Sequence, residues 1–388
     1  MGMPRTHGRG RHAQRPDRRR RLALAGLGLV AALLSACGPA APGGSDGPRS
    51  TPLLPATPPV ATRTPVPTPR PTPVPLPAYQ AGVNLLLYSD PGYRSALPAL
   101  ITRLRRDHVN SVAVTFPFYQ SGLTSSSVHA GSGTPPDAQL SGVVDDLEAA
   151  GFSVMLRPLL DESDLAPLWR GAIAPTSVGA WFASYTTLIT HYARLAAEDG
   201  VQVLDVGTEL LSLEADTSDW LTLIARVRSV YPGKVTYAVN GISDTSNGFP
   251  TGFIGALDFL SVDGYWNLAV PDGTGAAGLA RAWLPYLQQS IAAAGGKPVV
   301  LSEVGVVPQQ GAQDHPWKTL QPGPTDDTFQ ATYYEGACQA ASTAHLAGLY
   351  WWEVNLGTPG QFDPIGMPAE RAIASCFATA PSPGAAGG

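Results

Sequence analysis

From Tyr79 onward the chain repeats one texture. Short apolar runs rich in β-branched residues alternate with longer stretches whose apolar residues recur every three or four positions. A short continuous run suits a strand buried on both faces, and the three-to-four spacing suits a helix with one apolar stripe. The pattern predicts strands at 82–87, 111–116, 153–156, 203–206, 235–239, 259–262, 298–301 and 348–352. The helical stripe is clear in Trp181, Tyr185, Leu188, Tyr192 and Leu195, and again in Trp220, Ile224, Val227 and Val230. Gly151 and Gly200 stand where a helix C-cap would feed the next strand. Eight such units predict a (β/α)8 TIM barrel as one domain over 79–380, with a doubly wound open sheet as the alternative.

The residues before this domain follow another pattern. Arg18 to Arg21 precede an apolar stretch from Leu22 to Leu34, which is short for a membrane span, and Leu34-Ser35-Ala36-Cys37 comes next. This resembles a bacterial lipoprotein signal over 1–37, with Cys37 as the lipidated residue. A plain signal peptide is the alternative. The expectation is an exported chain anchored by lipid on Cys37 to the outer face of a bacterial membrane. Residues 38–78 hold 14 Pro among Thr, Ala and Gly, the composition of an extended spacer with no core. Residues 381–388 read as a disordered tail.

Charge narrows the choice of partner. The first 36 residues carry eight Arg and one Asp, a sum of +7, so the remainder carries −12 of the net −5. An acidic chain repels phosphate backbones, so no nucleic-acid partner is expected and an uncharged substrate fits better. The three cysteines have no CxxC spacing and no HExxH occurs, so neither metal nor cofactor is expected. The barrel is expected to act as a monomer.

In such a barrel, chemistry collects where strands end at the C-terminal face. The residues expected there include Asn84, Arg157, Thr208, Glu209, Asn240, Asp263, Tyr265, Trp266, Glu303, Trp351 and Trp352. Carboxylates, amides and aromatic rings together suit a sugar: the rings cover apolar C–H surface, and the polar groups bond hydroxyls. Glu209 and Glu303 each directly follow an apolar strand, the fourth and the seventh. Glycoside hydrolysis needs two carboxyls converging on one bond, as acid and as nucleophile or base. A Glu that merely caps the following helix is the alternative. Tyr265 could bond the nucleophile, and Arg157 could keep it ionised.

These residues carry a family resemblance. The segments Gly133-Thr134-Pro135-Pro136, Val154-Met155-Leu156-Arg157-Pro158, Trp181-Phe182-Ala183-Ser184-Tyr185, Val206-Gly207-Thr208-Glu209-Leu210, Val235 to Asn240, Asp258 to Tyr265 and Lys297 to Gly305 resemble, in this order, glycoside hydrolase family 113 of clan A. The resemblance implies a β-mannanase-like retaining enzyme, with Glu209 as acid/base, Glu303 as nucleophile and Tyr265 beside it. It also implies a strand-eight Trp as sugar platform, Trp352 first and Trp351 second. Thr208 stands where many clan members carry Asn. Arg157-Pro158-Leu159 stands where Lys-Pro and a polar residue are expected, which leaves the glycan as a mannan or a similar hexosan.

Other signals carry less. Gly273 to Gly278 spells GxGxxG, but about ten loop residues separate it from strand six, so it reads as a loop and not as a dinucleotide site. Asp161-Glu162 reads as a loop or sugar contact. His315 and Trp317 lie in a loop that covers a subsite or is plain surface. Cys338 and Cys376 fall in the last two helices and are a possible disulfide of an exported protein.

Overall fold

A computed structural model describes residues 74–241 and 248–379. Cys37 with the export segment, nearly all of the proline-rich spacer and the tail from 380 lie outside the described residues.

The strands are β1 (Gln80–Leu86), β2 (Ser111–Phe118), β3 (Ser153–Leu160), β4 (Val203–Thr208), β5 (Lys234–Asn240), β6 (Leu260–Asp263), β7 (Val299–Val304) and β8 (Gly348–Asn355). They pair in parallel, in chain order, and β8 closes on β1. This is the expected TIM barrel. The helices are α1 (Tyr93–Arg106), α2 (Asp137–Ala149), α3 (Val178–Asp199), α4 (Thr217–Arg228), the short α5 (Thr251–Ile254), α6 (Ala276–Ala293), α7 (Asp327–Thr343) and α8 (Pro368–Ala378). Of the expected stripe of α3, Trp181, Tyr185, Tyr192 and Leu195 are buried, while Leu188 is half-buried and Ile189 beside it is buried instead. Gly151 (φ 90°) and Gly200 (φ 76°) adopt the left-handed backbone that glycine tolerates best.

Most strands run further than the apolar pattern indicates. β3 continues past Leu156 to Leu160, and β8 past Trp352 to Asn355. The extra residues include polar ones that face the barrel interior, so a search for apolar runs stops short of them.

Alternation along the strands sorts the barrel into layers. Outward positions such as Val112, Val114, Val154 and Leu156 join the main core under the helices. Inward positions Ala113, Met155, Val203, Phe259, Val300 and Tyr350 form a separate apolar cluster. Leu76 and Ala347, which precede β1 and β8, pack against it, so this cluster fills the N-terminal end of the barrel. Two residues further along, the inward positions turn polar: Thr115, Arg157, Asp205, Ser261 and Ser302, all buried.

The pairing register shifts between Asp205 and Thr208 on β4, between Leu301 and Val304 on β7, and opposite Val83–Leu85 on β8. Such bulges re-aim the side chains around them. Here they fall where strands β4, β7 and β8 reach the open end. Cys338 on α7 and Cys376 on α8 form a disulfide, with Cα atoms 6.0 Å apart.

Candidate active site

The C-terminal mouth holds a cleft of about 470 Å³, within the usual range for a ligand site. It is lined by Glu162, Trp169, Arg170, Glu209, Asn240, Tyr265, Glu303, Trp317, Trp352 and Phe362.

Glu209 follows the β4 bulge directly. Its φ is 53°, in the left-handed region that a non-glycine residue seldom occupies. Its backbone N–H donates to the Ala238 carbonyl of β5 at 2.8 Å, which pins the turn. Strain of this kind costs about 1–3 kcal/mol and persists only where the surroundings enforce it. The turn delivers the carboxyl to the cleft, where Oε1 accepts from Asn240 Nδ2 at 2.6 Å and Oε2 from Arg170 Nη1 at 2.8 Å.

Glu303 is placed by the β7 bulge. Its Oε2 accepts from the Tyr265 hydroxyl at 2.7 Å, and its Oε1 lies 2.9 Å from Arg157 Nη1. Arg157 is fully buried. Its Nη2 donates to both oxygens of Asp263 at 2.9 and 2.8 Å, and its Nε to Asp205 at 3.1 Å. Asn84 Oδ1 accepts from Nη1 at 3.1 Å, and the Thr208 hydroxyl donates to Asp205 at 3.0 Å. Ser302 Oγ donates to Asp263 at 2.8 Å.

This network corrects several expectations. Asn84, Arg157, Thr208 and Asp263 do not reach the cleft. They form a buried floor beneath Glu303, because β3 extends past Arg157 and leaves it mid-strand inside the barrel. Trp266 and Trp351 are also placed elsewhere. Trp266 stacks on Tyr286 at 5.3 Å and donates to the Gly241 carbonyl, and Trp351 stacks on Tyr334 at 4.4 Å under the helices. Trp351 faces the helices, while Trp352, within the β8 bulge, lines the cleft. Asn240, Tyr265, Glu209 and Glu303 do share the cleft.

Trp169, Arg170 and Phe362 escaped the sequence analysis. Trp169 and Arg170 lie in the β3–α3 connection and Phe362 in the loop after β8, where no periodicity singles out a residue. Their position after a barrel strand is the one signal that points to them. Glu162 and Trp317 join the cleft as well, from connections whose role the pattern left open.

Burial pushes both glutamate carboxyls upward. For Glu303 the shift is large: burial contributes most, then Asp263, with Glu209 adding to it, while Arg157 and the Tyr265 hydroxyl pull back. For Glu209 burial again leads, Asp263 adds, and Arg170, Asn240 and Arg157 oppose. Glu209 is among the groups that raise Glu303, so each carboxyl disfavours the charge of the other. Burial alone would pull Arg157 down, but Asp263, Glu303 and Asp205 reverse this and keep it charged. An acid that retains its proton beside a second carboxyl can protonate a leaving oxygen while the other attacks.

Comparison with known proteins bears on the family and the fold. The sequence profile of Glycoside Hydrolase Family 113 matches residues 94–358. No curated protein matches the chain significantly. The family 113 β-mannanase of Alicyclobacillus acidocaldarius, solved in complex with ManMIm, is 24% identical with a TM-score of 0.67, over 78% of this chain and 97% of that one. A second structure, of a family 113 β-1,4-mannanase, is 23% identical with a TM-score of 0.67, over 78% and 99%. A β-glucuronidase from Ruminococcus gnavus shares the fold at 11% identity and a TM-score of 0.53, over 78% of this chain and 50% of its own. The family profile spans well over half of the sequence: the chain belongs to glycoside hydrolase family 113 and is a glycoside hydrolase.

Proposed function

We propose that this enzyme cleaves an uncharged β-linked polysaccharide, a β-mannan or similar hexosan, with retention of configuration. Glu209 is the acid/base and Glu303 the nucleophile. The observation that carries the reading is that two buried carboxyls, set by bulges on β4 and β7, face one cleft. Three glutamates and one arginine line that cleft, so it repels an anionic glycan. Trp169, Trp317, Trp352 and Phe362 supply rings for the apolar faces of sugar units.

In the first step a Glu303 oxygen attacks the anomeric carbon. The bond to the leaving oxygen breaks, and that oxygen takes the proton of Glu209. In the second step Glu209, now a carboxylate, takes a proton from water. The water oxygen attacks the anomeric carbon, and the bond to Glu303 breaks. Arg157 and Tyr265 steady the charge that returns to Glu303.

The test is turnover on a panel of mannans, glucans and galactans, followed by reducing ends and by the anomer first formed. Glu303→Ala is expected to lose at least about 10³-fold in kcat, and Glu209→Gln about 10²–10⁴-fold on polysaccharide. Normal turnover in Glu303→Ala, or an inverted first product, overturns these roles. Binding without cleavage by the native protein would leave a sugar-binding barrel.

We also propose that the enzyme is exported and held at the outer face of a bacterial membrane by lipid on Cys37. The Arg18–Arg21 cluster, the apolar stretch and Leu34-Ser35-Ala36-Cys37 support this, as does a disulfide, which persists in oxidising compartments. Cys37→Ser is expected to move the protein from the membrane to the soluble fraction. Unchanged fractionation counts against the lipid.

A further inference from the structure

Arg170 is held in place before it ever meets the acid/base. Its Nε donates to the Leu160 carbonyl at the end of β3 at 3.0 Å, and its Nη2 pairs with Glu162 Oε1 at 3.0 Å. The same Glu162 oxygen accepts from the Arg170 backbone N–H at 3.3 Å. Only Nη1 is left to reach across to Glu209 Oε2, at 2.8 Å. Asn240 Nδ2 occupies the other oxygen, Oε1. A guanidinium has donors and no acceptor, so each Glu209 oxygen meets a donor that favours its charged form.

That arrangement opposes one half of the proposed cycle and supports the other. The first step needs Glu209 with its proton, and the second needs it without. We propose that Arg170 is a positioning residue whose contact with Glu209 weakens that carboxyl's hold on its proton in the empty cleft and thereby sets the upper pH limit of the acid step. The inference rests on Glu209 being the acid/base.

The other titratable groups facing Glu209 are Asp263 from β6, Tyr265 just after it, Glu303 from β7 and Arg157 from β3. Asp263 and Glu303 favour the proton on Glu209. Arg157 opposes it, but lies in the floor and is already shared by Asp205, Asp263 and Glu303. Arg170 is therefore the cation in direct contact with Glu209, and it opposes the rise that burial imposes on that carboxyl. Once a glycosidic bond has accepted the Glu209 proton, the same contact stabilises the base that must activate water. Glu162 tempers Arg170: a second carboxylate on the guanidinium weakens its pull on Glu209.

The test is the pH dependence of kcat/KM on polysaccharide for the native enzyme, Arg170→Gln, Arg170→Lys and Glu162→Gln. An opposite charge in contact shifts a carboxyl by about 1–3 units, so Arg170→Gln is expected to move the alkaline limb up by about 1 unit or more. Arg170→Lys keeps a charge and should fall between it and the native enzyme. Glu162→Gln should move the limb the other way, which no loss of packing would do. An aryl glycoside whose phenolate leaves unaided needs no acid, so its alkaline limb should be absent in native enzyme and variants alike. An unmoved limb in folded Arg170→Gln, or a shift of the same sign in Glu162→Gln, overturns the proposal. Glu209→Ala with azide is the control: formation of a glycosyl azide from the aryl glycoside keeps Glu209 as acid/base. Its absence, with polysaccharide still cleaved, removes the underlying assignment instead.

Discussion

Arg157 shows how much depends on a single buried charge. Three carboxylates converge on it from β4, β6 and β7, and it has no contact with solvent. Taking away one member of a buried ion pair costs about 3–5 kcal/mol, because the partner stays charged in a poor solvent. Arg157→Met is therefore expected to destabilise the fold by about that amount at neutral pH. The loss should shrink on acidification. Burial already pushes Asp205 up to about 6, above its unfolded value. A group raised in this way favours the folded state below its unfolded pKa and loses that contribution as pH rises through the folded one. Without Arg157 the acids around it rise further, Asp205 to above about 6, so protons relieve the variant as pH falls through these higher values. Urea unfolding at pH 7.5 and at pH 5 measures the difference, and an equal loss at both values would contradict this account. The sequence offered Arg157 as a rim residue because the apolar run ends just before it. Only the continued strand, with its inward alternation, shows it to be floor.

Elements divide in the same way between what pattern reveals and what it hides. Periods of two and of three to four are properties of regular backbone, so strands and helices were legible, along with the order that makes a barrel. Bulges have no period. Those on β4, β7 and β8 decide where Glu209, Glu303 and Trp352 point, and nothing in a run such as Val299 to Glu303 announces one. Cys338 and Cys376 were legible as neighbours because the last two helices of a barrel adjoin. Their bond joins α7 and α8 near the helix ends that feed the barrel base, 38 residues apart in sequence. Closing such a loop is worth about 3–4 kcal/mol by chain entropy. Cys338→Ala/Cys376→Ala is expected to lower Tm by about 5 °C for a barrel of this size. Turnover at 25 °C should be kept, since the bond lies away from the cleft. Calorimetry and an activity assay check this; an unchanged Tm would mean the bond adds nothing to stability.

At the scale of the molecule, architecture predicted which side chains share the cleft better than residue type did. The rule that barrel strands end at the working face selected Glu209, Glu303, Asn240, Tyr265 and Trp352 together. It also admitted Trp266 and Trp351, which serve the packing between barrel and helices. The interior graded from apolar to polar has a further consequence. With its base sealed by Met155, Phe259 and Tyr350, the cylinder is a flask with one neck. Glu303 stands between the Arg157 cluster and the open cleft, so in the proposed reaction a sugar ring seated over the two glutamates acts as a stopper. In that dry interval every charge beneath it counts for more, and the substrate itself supplies the insulation its own cleavage requires.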